Sequence, residues 1–184
     1  MTLVFAINTL FSVLTIVALG LSLLLGIAFF SERVRGTPLV SFFVRRSVLV
    51  GFVVALTATL GSLTYSDVIG YAPCVLCWFQ RIFMYPQVLI MGIALYRSDW
   101  SVRIYGLILS VVGGVLALWH YLGQLGIGSL PCSAVGYSVS CAERFVMQYG
   151  FITIPMMALA AFMLIALSHA LALRSHRPSP LVRS

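Results

Sequence analysis

Five stretches of this chain are long, apolar and nearly free of charge, and together they make up most of its 184 residues. The hydrocarbon core of a bilayer takes roughly 20 apolar residues of helix to cross. Inside it, every backbone N–H and C=O must be satisfied by the protein itself, which leaves helices or closed barrels. The runs here have helix length. They extend from Leu3 to Phe30, about Ser47 to Thr64, about Cys74 to Tyr96 with Pro86 as an expected kink, about Ile104 to Leu125, and about Phe151 to Leu173 with Pro155 near its start. The prediction is an all-α, polytopic membrane helical bundle with five spans. The first run lacks the positive lead, short core and small-residue cleavage site of a signal peptide, so it is expected to stay as an uncleaved helix.

Charge sets the orientation. Only 8% of residues are charged, and the net charge of +7 comes from eleven arginines without a lysine. Nine of them fall in three segments: Glu32 to Arg46, Arg97 to Arg103, and the tail from Arg174 to Ser184. Cytoplasmic loops carry such an excess, so the amino terminus is expected outside and the carboxyl terminus inside. Arginines packed into short turns between apolar runs do not form the basic, aromatic-interleaved face of a nucleic-acid binder. Glu32 to Arg46, with Gly36 and Pro38, is expected as a loop. The exterior segment Gly126 to Gly150 is expected to be irregular, with a short surface helix at Ala142 to Tyr149 turning Phe145, Val146 and Tyr149 to lipid.

Four cysteines follow the spacing C-x2-C-x54-C-x8-C. Cys74 and Cys77 stand at the outer mouth of the third helix, and Cys132 and Cys141 lie in the long exterior segment. All four face the oxidising side, where disulfides persist. A C-x-x-C pair closes too small a loop to staple much but makes a reactive, exchangeable disulfide. Two such pairs on neighbouring exterior segments can trade a disulfide by thiolate attack. Two structural disulfides, or a four-cysteine zinc site, are the plainer alternatives; zinc ligands normally come as paired knuckles in a soluble ribbon, and no metal is expected.

Arg81, four residues after Cys77, shares a helix face with it and can steady a thiolate or the anion growing on an acceptor. Alternatively it snorkels to the headgroups. His120 either hydrogen-bonds to a neighbouring helix or lines an acceptor pocket and handles a proton. His169 is expected to be structural. Tyr65, Tyr71, Trp78 and Phe79 fit an interfacial aromatic belt, and the same rings would pack well on a flat hydrophobic acceptor.

The segment Pro73 to Pro86, Pro-Cys-Val-Leu-Cys-Trp-Phe-Gln-Arg-Ile-Phe-Met-Tyr-Pro, closely resembles the disulfide bond formation protein B (DsbB) family. The resemblance is nearest the short-loop, Bacillus-type thiol-disulfide oxidoreductase branch. Trp119 to Gln124, Pro131-Cys132 through Cys141, and Gly150 to Pro155 resemble further family segments in the same order, over roughly Ser47 to Leu173. The resemblance implies a four-helix redox core (47–173); the chain departs from the family at its front, where an additional N-terminal transmembrane helix (1–31) is expected, and a cytoplasmic tail (174–184) is expected at the other end. It implies a bacterial cytoplasmic (inner) membrane enzyme that reoxidises an exported DsbA-like, thioredoxin-fold dithiol protein and passes the electrons to a membrane quinone, ubiquinone or menaquinone. In the roles so implied, Cys132 forms the mixed disulfide with the partner and Cys141 exchanges with Cys74. Cys77 is the thiolate facing the quinone, with Arg81 and His120 as further quinone-site candidates. A vitamin K epoxide reductase-like enzyme is one alternative, although there the loop cysteines precede the C-x-x-C. A non-catalytic membrane scaffold with structural disulfides is the other.

Overall fold

The computed structural model describes residues 2–127 and 140–175. Cys132 and the tail from residue 176 onward lie outside the described residues. The chain forms α1 (Thr2–Phe30), α2 (Glu32–Arg35), α3 (Pro38–Arg45), α4 (Ser47–Leu63), α5 (Val75–Arg97), α6 (Arg103–Gln124) and α7 (Ile154–Ser175). A π-turn at Thr64–Val68 prolongs α4. Among the described residues the only β-pairing is an isolated antiparallel bridge between Gln148 and Ile152.

Four helices (α1, α4 with its π-turn, α6 and α7) are long and apolar enough to cross a membrane. At 23 residues α5 is long enough, but Gln80, Arg81 and Gln87 make it more polar than the other four. It meets its polar groups internally: Gln87, fully buried, donates to the Phe83 carbonyl at 2.8 Å and accepts from the Ser110 hydroxyl at 3.0 Å.

The bundle closes through small residues, which let membrane helices approach closely. The inner face of α1 carries Ser12, Thr15, Ser22 and Ala28, and this helix packs chiefly along α7. On α6, Gly113 lies so near the Phe162 ring that a β-carbon there would overlap it. Met84, Met91, Ala117, Phe162 and Ile165 fill the centre. His169 is fully buried on α7, its ring against Gly51 and Gly106, and its Nδ1 lies 2.9 Å from the Ile165 carbonyl. At the arginine-bearing end, the last carbonyls of α1, which have no partner within the helix, are met by cations. Arg35 donates to Ala28 and Phe29 at 3.3 and 3.1 Å, and Arg174 donates to Phe29 at 2.6 Å.

Two expectations are corrected. The segment from Glu32 to Arg46 is not a plain loop but holds α2 and α3. Gly36 and Pro38 mark helix boundaries, Gly36 as the cap of α2 and Pro38 as the first residue of α3, where proline lacks only a hydrogen bond that the helix would not make anyway. Val40 and Phe43 then bury against Leu25, Ala28 and Leu171. Nor does Ala142 to Tyr149 form a surface helix: it is irregular, with a bend at Phe145 and a bridge residue at Gln148. Val146 is buried and Phe145 stacks on Tyr71 at 4.8 Å, so neither is free to face lipid. Tyr149 and Gly150 both have left-handed backbone, φ 52° and 79°, which breaks any helix there and delays α7 to Ile154.

Candidate functional site

The end of the bundle opposite the arginines is built around the start of α5. Cys74 is its N-cap, in extended backbone, and Cys77 lies in its first turn. The two sulfurs are 3.3 Å apart and both cysteines are free. Cys74 is 4% exposed and packs with Leu76 and Cys141, itself 1% exposed. Cys141 is disulfide-bonded.

His120 joins these groups. From α6 its Nε2 lies 3.7 Å from the Cys74 sulfur and 3.1 Å from the Cys141 carbonyl, while Gln80 Nε2 lies 3.0 Å from its Nδ1. A neutral imidazole has one donor and one acceptor nitrogen. With the Gln80 amide donating to Nδ1, the ring proton sits on Nε2, facing the Cys141 carbonyl and the Cys74 sulfur. Cys74 precedes the first turn of α5, and the Cys77 thiol donating to it holds its own thiol below the ordinary range; burial opposes this and His120 reinforces it. The ligand atoms of Cys74, Cys77 and His120 all fall within 4.8 Å of one another, so this trio could also hold a thiophilic cation. Such an ion would occupy the sulfurs that have to join in a disulfide.

Two cavities meet at Cys77. The smaller, about 50 Å³, is lined by Cys74, Cys77, His120, Gln124, Arg144 and Tyr71. The larger, about 290 Å³, extends from Cys77 and Arg81 into apolar surroundings that include Phe11, Val54, Met157 and Phe162. That is near the lower end of the roughly 300–1,000 Å³ typical of ligand pockets. Cys74 and His120 border the first cavity and Gln80 the second, while Cys77 borders both.

Arg81 is held by a neighbouring helix. It folds back to α4, donating from Nε to the Ser62 hydroxyl at 3.0 Å and from Nη2 to the Ser62 carbonyl at 3.2 Å, with its guanidinium 5.0 Å from the Trp78 ring centre. Tyr85 reaches the same Ser62 hydroxyl at 3.2 Å. Two of the five guanidinium N–H donors are thus used, and among the described residues no carboxylate pairs with this cation.

The segment carrying Cys141 is fastened to the core by groups that sequence reasoning missed. Arg144 donates to the backbone carbonyl of Gln124, and Gln124 Nε2 donates to the Glu143 carbonyl at 3.0 Å. Phe145, Tyr71 and Tyr65 form a stack that continues to Phe11 of α1. Of the expected site residues, Cys74, Cys77, Cys141 and His120 come together, and Arg81 lies along the larger cavity. Gln80 and Ser62 were not singled out. The adjacency of Gln80 to Arg81 in the C-x-x-C helix was the only signal for the first, and nothing local marked the second.

A family model described as "Disulfide bond formation protein DsbB" matches residues 44–172. Disulfide bond formation protein C of Bacillus subtilis is 45% identical over 114 residues, covering 62% of this chain and 83% of its own. A probable disulfide formation protein of Metapseudomonas resinovorans is 44% identical over 123 residues, covering 65% and 84%. A probable disulfide formation protein C of Halalkalibacterium halodurans is 39% identical over 132 residues, covering 71% and 96%. No solved structure matches the chain.

Proposed function

The chain belongs to the DsbB family of disulfide bond formation proteins, a membrane thiol-disulfide oxidoreductase by that membership, and from this premise we propose that it reoxidises an exported DsbA-like, thioredoxin-fold dithiol protein at the expense of a membrane quinone. Membership sets aside the vitamin K epoxide reductase-like alternative. In this reading the bundle lies in the bacterial cytoplasmic membrane with five spans, α5 included. The amino terminus and both cysteine pairs are outside and the carboxyl terminus is inside, with residues 47–173 as the redox core.

The observation that carries the reading is the division of labour around the C-x-x-C: Cys74 packs beside Cys141 and His120 and borders the smaller cavity only, while Cys77, of the two cysteines, reaches the larger one as well. The partner's thiolate attacks Cys132 of a Cys132–Cys141 disulfide, forming a mixed disulfide and releasing Cys141 as thiolate. Cys141 attacks the Cys74 sulfur of the Cys74–Cys77 disulfide, and Cys77 leaves as thiolate. The partner's second thiol then releases the partner as a disulfide, with Cys132 as the leaving thiolate. The net result is two electrons and two protons moved from the partner to the cysteines. A quinone bound in the larger cavity accepts two electrons and two protons, becoming a quinol as the cysteine pairs return to disulfides. The protein's own contribution lies in pKa and geometry. Arg81 supplies a cation beside Cys77 with N–H donors unused among the described residues, and His120, oriented by Gln80, steadies the Cys74 thiolate by donating from Nε2.

The test uses the purified protein in detergent with a short-chain quinone and a reduced thioredoxin-fold exported protein. Quinone absorbance is expected to fall in step with oxidation of the partner, and not to fall with Cys77→Ser. Normal turnover by Cys77→Ser would remove Cys77 from the quinone step, and no quinone loss with the folded wild-type protein would point to a different acceptor or to a scaffold with structural disulfides.

A further inference from the structure

The helix that lies outside the family match forms one wall of the larger cavity. Phe11, Leu14, Thr15 and Ala18 of α1 line it, across from Cys77 and Arg81 of α5. Phe11 is fitted to that place. A β-carbon at Gly61 of α4 would collide with its ring, and the ring centre stands 5.7 Å from that of Tyr65. Tyr65 lines this cavity as well as the smaller one and is 5% exposed, yet among the described residues its hydroxyl has no hydrogen-bond partner. Buried hydroxyls are nearly always paired, since an unmet one forfeits its hydration for nothing. An acceptor bound inside the larger cavity would supply that partner.

We propose that α1 and Tyr65 complete a site for a prenylated quinone. The Tyr65 hydroxyl donates to a ring carbonyl, and the inner face of α1 lines the path of the isoprenoid tail. This rests on the quinone reading above and adds to it a role for the helix that the family core lacks. A lipid acyl chain fits the apolar part equally well, but it offers no acceptor to Tyr65 or to the free N–H donors of Arg81. A quinone carries two carbonyls on the ring and hydrocarbon behind it, in the same order as the cavity presents polar and apolar walls.

The test compares a tail-free benzoquinone with the same ring bearing a ten-carbon tail, using the full chain and a reduced thioredoxin-fold protein. Tyr65→Phe removes one neutral hydrogen bond and is expected to raise KM roughly three- to tenfold for both quinones. Ala18→Trp fills the tail path and is expected to raise KM about tenfold or more for the tailed quinone while leaving the tail-free one unchanged. Val13→Trp, on the outward face of α1 where the native side chain is 47% exposed, is the control expected to change neither. Should Ala18→Trp not fold, Leu21→Ala, which opens the wall that α1 gives to the same cavity, replaces it, with a raised KM for the tailed quinone alone as the expected result. Equal effects on the two quinones, or none, would overturn the role of α1, and an unchanged KM in Tyr65→Phe would overturn that of the hydroxyl. A wild-type protein that reduces neither quinone while exchanging disulfides with the partner brings down the quinone reading and this inference together.

Discussion

The two cavities that meet at Cys77 differ in size and in the groups that they hold. The smaller is tight and holds Cys74, His120, Gln124 and Arg144, and one of its walls is the Cys141 segment clamped by Arg144 and Gln124. The larger is apolar and nearly six times the volume, with its few polar groups gathered near Cys77. Sulfur-to-sulfur exchange needs thiolates held in line and little room, whereas a hydrophobic acceptor needs room and few polar contacts. One turn of helix separates the two demands. The difference teaches that a C-x-x-C at a helix start can serve as a partition, its N-cap cysteine turned to one chemistry and its first-turn cysteine to another.

The most severe way to break this partition is Cys77→Ser. It is expected to lower quinone turnover on the order of a thousandfold or more, as loss of a nucleophile does, yet a disulfide between Cys132 and Cys141 should still form. Rapid-quench trapping of the partner would show both. Arg81→Met sharpens the contrast on one side only. The KM for quinone should rise about tenfold, the worth of a charge-assisted hydrogen bond, while single-turnover exchange with the partner keeps its rate. A fall in exchange rate instead would mean that Arg81 also acts on sulfur exchange, from the smaller cavity that it lines as well.

His120→Ala probes the other side, with the smallest expected effect. The Cys74 thiol is held below its ordinary range by Cys77 and then by His120, so in the reduced protein its thiolate survives to lower pH than that of a free cysteine. Alkylation by iodoacetamide should therefore decline only as pH falls through that depressed value, and His120→Ala should move the decline to higher pH. The same sign governs stability. Ionised Cys74 stabilises the reduced fold fully above the unfolded thiol value, and this is lost as pH falls through the folded one. A variant whose alkylation curve coincides with the wild type would remove His120 from the electrostatics of Cys74.

How much of this was legible in sequence depended on whether the signal was local. The long helices end within a few residues of the expected places, because apolar runs bounded by arginine, glycine and proline are read along the chain. The C-x-x-C, Arg81 and His120 announce themselves by residue type. Ser62 as the partner of Arg81, and Gln80 as the partner of His120, depend on how α4, α5 and α6 are rotated against one another, which no single helix encodes. Tyr65 read as one ring of an interfacial belt; its burial comes from Phe11, more than fifty residues earlier. The segment from Ala142 to Tyr149 misled for a related reason. Its helix-like spacing of apolar residues was outweighed by the stacking of Phe145 on Tyr71 and the burial of Val146.

The pairing of α1 with α7 also bears on how the molecule comes into being. Among the described residues these are the first and last helices, and both line the larger cavity. A ribosome delivers α1 before α4, α5 and α6, but the surface of α7 that it rests on, and Arg174 that seals its last turn, come after them. Until then α1 lacks its main neighbour, while α4, α5 and α6 can already pack around the C-x-x-C. The C-x-x-C is thus in place before the chamber beside it is closed by α7. Only a finished chain has a place to hand its electrons on.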